Sequence, residues 1–291
     1  MKVICGLFGK TRQAYYKAKR AAEQLVLQQA LIIKAVEEIR SSMPRVGTRK
    51  LKYLLESVLP QHGIQIGRDQ LFDLLRDQGL LVRRPRKRKV ITTHSDHPFK
   101  KYPNLTDSLE LRGANQLWVS DITYVEVKEG FAYLSLITDA YSRKVVGFEL
   151  HPTLSAQGPL LALHMALRES GWQQKGTLIH HSDRGLQYCC KAYTQLLEQA
   201  GVSISMSRKG DPYENALAER MNGILKSEFL LNRIFQSYEQ AQQAVQRAIA
   251  TYNSRWPHGS LYFLTPEQAH GTEGGILQKK WKSKPLEAKV F

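Results

Sequence analysis

Two different periodicities divide the chain. Up to about residue 82 the apolar positions recur at three, four and seven; from residue 117 they fall in short blocks rich in β-branched and aromatic side chains. In the first part, Leu25, Ile32 and Ile39 repeat at seven with Ile33 and Val36 beside them, predicting a long helix from about Ala18 to Ser41. Upstream, Gly9-Lys-Thr11 breaks a short apolar segment, and Thr11 can cap a helix over 12–17. Under three heptads serve packing within a domain as well as pairing with another chain. Pro44-Arg-Val-Gly47 ends the pattern. Thr48 then opens a helix to about Val58 with Leu51, Leu54 and Leu55 on one face, and Arg68 to Gln78 forms another, stopped by Gly79. Two short amphipathic helices followed by a basic run predict a helix-turn-helix with a phosphate-contacting arm. Its candidate contacts are Arg49, Lys50 and Arg68, with Arg83, Arg84, Arg86, Lys87, Arg88 and Lys89 in the arm. Thr92 to Asn104, with Pro98 and Pro103, reads as a linker.

The second part predicts strands. Leu117–Val127, Phe131–Asp139 and Lys144–Leu150 are joined by tight turns at Lys128-Glu-Gly130 and Tyr141-Ser-Arg143, the pattern of an antiparallel meander. A helix over 156–170, a strand over 177–182, a helix over 190–200, a strand over 203–206 and a helix over 215–231 complete a β-β-β-α-β-α-β-α order. That order predicts an α/β fold with a mixed sheet flanked by helices.

Charge sharpens the division. Of the net +16, +14 lies in residues 1–104, and the remainder is close to neutral. A basic helical third joined to a neutral α/β domain suggests a polyanion-binding module attached to a separate functional unit. No apolar run reaches the roughly 18–20 residues that span a bilayer, and the first eight residues are too short for a signal segment. Cys5 and the adjacent Cys189 and Cys190 form neither a disulfide framework nor a metal pattern, so a reduced, cytoplasmic setting is expected.

Three acidic residues stand out for the segments that present them. Asp121 lies inside the first strand, Asp183 directly after the fourth, and Glu219 on the last helix. At about 100° per residue, Glu219, Asn222 and Lys226 share one helix face, while Leu217, Met221, Ile224 and Leu225 lie opposite. The apolar side is expected to pack on the sheet. Carboxylates from two strands and a helix can converge on divalent cations, which is machinery for phosphodiester chemistry. A zinc site from His180, His181 and Asp183 is the weaker alternative, since no cysteine stands at metal spacing. One of these histidines is expected in the core and the other beside the site. Asp139 and Arg143 read as a structural turn pair, and Trp118 and Trp172 as packing residues.

The motifs Trp118-Val-Ser-Asp121-Ile-Thr-Tyr124, Leu136-Ile-Thr-Asp139-Ala-Tyr-Ser142-Arg143 with Val146-Gly147, and His181-Ser-Asp183-Arg-Gly-Leu-Gln-Tyr188 resemble the integrase-core transposases of the insertion-sequence-three group. So do Asn215-Ala-Leu-Ala-Glu219 with Leu225-Lys226, and Tyr252-Asn253 followed by Arg255, His258, Leu261 and Thr265-Pro266. Gly47-Thr-Arg49 and Gly79-Leu80 resemble the helix-turn-helix that precedes that core, and the resemblance covers about residues 44–270.

The resemblance implies a ribonuclease-H-like five-stranded sheet and a catalytic triad of Asp121, Asp183 and Glu219. Two Mg²⁺ ions, with Mn²⁺ able to substitute, would be bridged by Asp121 and bound singly by Asp183 and Glu219. Lys226 would hold a DNA phosphate and Asn222 would orient the strand. Arg184, Arg208 and Lys209 would contact DNA around the loop at 208–214. The expected domains are a helical segment at 1–43, the helix-turn-helix and arm at 44–91, a linker at 92–110, the catalytic domain at 111–270 and a basic tail at 271–291. The implied partners are double-stranded DNA, both terminal inverted repeats and target, and further copies of the chain as a dimer or larger assembly. Related elements also join such a chain to an upstream-frame product, and the opening at residues 1–17 suits a preceding helix encoded separately. A retroviral-type integrase would need a His/His/Cys/Cys pattern that the first 104 residues lack. A nuclease without joining activity and an idle DNA-binding regulator are the remaining alternatives.

Overall fold

The structure, a computed structural model, describes residues 6–7, 9–82, 98–107, 109–172, 178–208 and 215–272. It divides into two compact units, residues 1–86 and 87–291. The basic arm over 83–89 and the tail beyond 272 lie outside the described residues.

The first unit is helical. Helix α1 runs unbroken from Arg12 to Ser42, so the short segment expected at 12–17 and the long helix after it are one element. The Thr11 hydroxyl accepts from the Ala14 N–H at its start, as its position predicts. Ile32 and Val36 of the apolar stripe are buried, while Leu25 is 54% exposed, so only the C-terminal half of the stripe packs within the unit. Helices α2 (Thr48–Leu55) and α3 (Arg68–Asp77) follow, separated by a 3-10 turn at Leu59–His62. Leu51 and Leu55 from α2, with Leu71 and Leu75 from α3, join Val36, Met43 and Val46 in the buried set. Gly79, at φ +67°, terminates α3 in the left-handed region that glycine enters without strain. Arg40 donates to the Leu80 carbonyl at 2.7 Å and to the Val46 carbonyl, tying both ends of the helix pair to α1.

The second unit carries a five-stranded sheet in the order β3-β2-β1-β4-β5, the mixed ribonuclease-H-like sheet expected. Strands β1 (Leu117–Val127), β2 (Gly130–Asp139) and β3 (Val145–His151) form the antiparallel meander. Strands β4 (Ile179–Ser182) and β5 (Ser203–Met206) add parallel to the other side of β1. Helices α4 (Gln157–Glu169) and α6 (Lys191–Gln199) cover one face over Trp118, Ile122, Ile137, Val146 and Ile204. Gly147 makes this packing close, since a Cβ there would lie 2.2 Å from the Ala162 carbonyl oxygen of α4. The four-residue helix α5 (Leu186–Cys189) precedes α6. Helix α7 (Ala216–Glu228) lies on the other face, where Ala218 meets Leu117 and Val119.

Both sheet edges are covered. Helix α8 (Tyr238–Arg255) runs along β3 in the opposite direction: the Tyr238 hydroxyl donates to the Leu150 carbonyl, and Asn253 both accepts from the Val145 N–H and donates to its carbonyl, each at 2.9 Å. A side chain thus replaces a missing neighbour strand, which blunts an edge prone to pairing with another chain. On the β5 edge, the Met206 N–H donates to the Pro103 carbonyl and the Leu105 N–H to the Ser205 hydroxyl. Tyr102 packs on the core and donates to Glu198. The stretch 102–105, read as linker, is therefore docked on the sheet. Helix α9 (Pro266–His270) closes the described chain, with Thr265 in a capping box.

Candidate active site

Asp121 occupies the middle strand of the sheet, and the strand register sets its neighbour. Val119 pairs with His181 across β1 and β4, so two residues further on Asp121 comes level with Asp183, where the chain leaves β4. The loop then turns tightly enough for the Gly185 N–H to donate to Asp183 Oδ1 at 2.9 Å. A side chain at 185 would place its Cβ 2.9 Å from that same oxygen, so glycine lets the backbone wrap the carboxylate.

Helix α7 is tied to β1 at three points that come in the same order along both elements. The Asn215 amide donates to the Ser120 carbonyl at 3.2 Å, the Asn222 amide donates to Asp121 Oδ2 at 2.7 Å, and the Lys226 ammonium lies 3.5 Å from the Tyr124 ring centroid. From the first tie to the last, eleven helical residues rise about 16 Å and four strand residues about 13 Å, so the helix lies along the strand over a comparable length. The helix face holding Glu219, Asn222 and Lys226 thus meets the sheet partly through polar groups. Asn222 is buried, Lys226 half-buried, and Glu219 exposed on the first turn. The apolar side is shared: Ala218 packs on β1, whereas Met221 meets the Tyr252 hydroxyl of α8 at 3.2 Å. This corrects the expectation that the whole apolar stripe faces the sheet.

The electrostatics follow from this placement. Burial pushes the Asp121 carboxyl up to about 7, and the charges of Asp183 and Glu219 add to the rise. The Ile122 N–H and the Asn222 amide oppose it without cancelling it. Burial also brings the Lys226 ammonium down to about 8, against the pull of Asp121. The carboxylates offer only oxygen ligands, which suit a hard divalent cation, and a cation among them would reverse the rise at Asp121. The residues present therefore fit such an ion. No three His, Cys, Asp or Glu side chains stand together as a ready ion cage among the described residues, with Glu219 turned to solvent.

The histidines depart from expectation, because both are buried. His180 Nε2 lies 2.7 Å from the Ser120 hydroxyl and 2.9 Å from that of Tyr193, and burial pushes its pKa down to about 3. His181 Nδ1 lies 2.8 Å from the Ser205 hydroxyl. They fasten β4 to its neighbours. Asp139 is a structural turn residue: its carboxylate accepts from the Ser142 N–H and hydroxyl and from the Asn115 N–H, each at 2.7 Å, while Arg143 donates to the Ala140 carbonyl. Trp118 is fully buried and Trp172 packs on the same core.

The remaining candidates are scattered. Arg184 is half-buried beside Asp183, and Arg208 is exposed and paired with Asp107. In the helical unit Arg49 is exposed, Lys50 half-buried, and Arg68 exposed and paired with Asp69 at 2.8 Å. Lys209 and the arm residues Arg83, Arg84, Arg86, Lys87, Arg88 and Lys89 lie outside the described residues. The sequence had assigned no role to Asn215 or to the Tyr124 ring. Asn215 falls seven residues, two helical turns, before Asn222, and that spacing was the available signal.

Two models described as integrase core domain match this chain, over residues 112–212 and 200–266. The chain is 36% identical over 273 residues to the insertion element IS600 uncharacterized 31 kDa protein of Shigella sonnei, covering 90% of this chain and 96% of that one. It is 30% identical to the transposase for insertion sequence element IS904 of Lactococcus lactis, over 78% of this chain and 96% of that protein. With transposase InsF for insertion sequence IS3A of Escherichia coli it shares 36% identity over 67% of each chain. The matched core spans the sheet, Asp121, Asp183, Glu219 and the edge-covering helix α8, and two of these relatives align over nearly their full length. On these grounds the chain belongs to the integrase-core transposases of the insertion-sequence-three group.

Proposed function

We propose that this transposase binds the terminal inverted repeats of its element through the helical unit and cuts and joins DNA strands at Asp121, Asp183 and Glu219. The observation that carries this is the placement of α7: the helix bearing Glu219 is fixed by Asn215, Asn222 and Lys226 along the strand bearing Asp121, beside Asp183. Two Mg²⁺ ions, or Mn²⁺, would be held by Asp121, Asp183 and Glu219 and would supply activation of the attacking oxygen and charge stabilisation at the leaving oxygen.

The chain's own groups prepare that site. Asn222 and the Ile122 N–H hold one oxygen each of Asp121, which fixes the plane of its carboxylate. The Gly185 N–H orients Asp183 in the same way. Lys226, kept beside the site by the Tyr124 ring, is placed to hold a DNA phosphate. No nucleophilic side chain is needed, because the attacking group is water for cleavage and a freed 3′-hydroxyl for joining. The sequence of steps is cleavage at one end, attack beside the other end to form a circle, and insertion into target DNA. Holding two ends at once calls for a dimer or larger assembly.

The test is incubation with Mg²⁺ and DNA bearing the element's ends. Joined product is expected, and Asp121→Asn, Asp183→Asn and Glu219→Gln should each abolish it while end binding persists. Cleavage without joining would make the protein a nuclease, and binding without cleavage a regulator. Full activity in any of the three variants would remove that residue from the triad.

A further inference from the structure

Beyond the carboxylates, the far side of Lys226 carries a surface that the proposed chemistry leaves unused. The Tyr124 ring, under the Lys226 ammonium, meets Phe131 edge-on with ring centroids 5.4 Å apart. Phe131 is the second residue of β2 and is 50% exposed. The register pairs Phe131 with Glu126, and the Val127–Phe235 bridge brings Ile234, 59% exposed, level with that same Glu126. Phe131 and Ile234 therefore lie at one end of the central strands, on the sheet face that carries Tyr124 and Glu126, three to five positions along β1 from Asp121. Glu126 is half-buried and Glu129 exposed beside them. Carboxylates at that end repel a phosphate track, whereas an exposed ring accepts the π-face of any base.

We propose that Phe131, braced edge-on by Tyr124, forms a stacking platform for one unpaired base at the end of the bound DNA, with Lys226 holding the adjoining phosphate. The inference rests on the reading of this site as a DNA-joining centre, and it names the part of the substrate that the site takes. A base can reach Phe131 only when it has left its pair, so the platform favours ends that are open over ends that are fully paired. Tyr124 serves both neighbours: its face holds the Lys226 ammonium and its packing fixes the angle of Phe131.

The experiment is photocrosslinking with 5-iodouracil placed in turn at each of the last few positions of an end duplex, with the crosslinked residue mapped by mass spectrometry. Attachment at Phe131 or Tyr124 from a terminal position is expected. Phe131→Ala should lose the crosslink and weaken binding of open ends about tenfold. Phe131→Trp should restore binding, and Phe131→Leu, which keeps bulk without a π-face, should not. Full binding in Phe131→Leu, or crosslinks that map elsewhere with unaltered affinity in Phe131→Ala, would overturn the platform. So would a changed molecular mass of the DNA-free protein in Phe131→Ala, since the surface would then be a protein interface. Cleavage and joining by the wild type with no crosslink at either ring would remove the platform and leave the triad standing. A crosslink at Phe131 in a protein that never cleaves would do the reverse.

Discussion

Replacing Asp121 by asparagine should stabilise the metal-free protein while abolishing its chemistry. The folded carboxyl titrates at about 7, against an ordinary 3.8. Because the folded value is the higher one, its cost is absent below about pH 4, grows between 4 and 7, and is complete above 7. At pH 8 that cost is about 4 kcal/mol. Asparagine fills the same volume without charge. Its amide can donate to Asn222 Oδ1, a buried oxygen without a hydrogen-bond partner, after the Asn222 amide turns over. His180 acts in the opposite direction, since its folded value near 3 lies below the ordinary 6.5 and costs stability as pH falls between those values. The two costs therefore add to a nearly constant sum in the wild type between pH 4 and 6.5, because one grows as the other falls. The difference between wild type and variant therefore carries the test. Thermal unfolding in chelator at pH 8 should show a higher Tm for Asp121→Asn, by roughly 4–8 °C if half of that cost is recovered. The gap should close towards pH 4, and Mg²⁺ should raise the Tm of the wild type more than that of the variant. A lower Tm for the variant at pH 8, or a gap independent of pH, would refute the claim that uncompensated charge sits at this position.

Three further outcomes test the frame around the site. Gly147→Ala should cost at least about 3 kcal/mol or prevent folding, because the added methyl meets a backbone carbonyl of α4 and not a movable side chain; soluble yield and urea midpoints read this. Asn253→Ala leaves both backbone groups of Val145 without their partner and should cost about 2–4 kcal/mol in the same urea measurement. Tyr193→Phe removes one of two hydroxyls on His180 Nε2, and because Ser120 remains it should cost only about 1 kcal/mol. Its cleavage activity, measured with Mg²⁺ and end DNA, should stay near wild type.

What the sequence disclosed was set by how local the cause was. The strands β1 and β5 were legible to the residue, because alternation and turn chemistry act within a few positions of each other. Helices α2 and α3 begin where expected, at Thr48 and Arg68, but end one to three residues before the expected bound, and α1 was broken in two at its polar stretch, where Thr11 caps a helix that in fact continues. Longer-range dependencies were invisible. Nothing near Asn253 announces that its amide pairs with Val145, 108 positions away, and nothing near Pro103 shows that this stretch closes the β5 edge. The same limit explains the histidines: a His-His pair before an aspartate suggested one group bordering the site, but β4 is flanked by strands on both sides, so both rings are enclosed. Rotation about the α7 axis put Glu219, Asn222 and Lys226 on one face, yet it could not tell which of the three would be buried. That depends on β1, and the structure gives Asn222 to Asp121, Lys226 to Tyr124, and leaves Glu219 facing out. For the ions proposed above, Glu219, exposed on the first turn of α7 while Asn222 and Lys226 are anchored, is the carboxylate with most freedom to move. The two aspartates, held by the sheet and by N–H donors, are the groups with least.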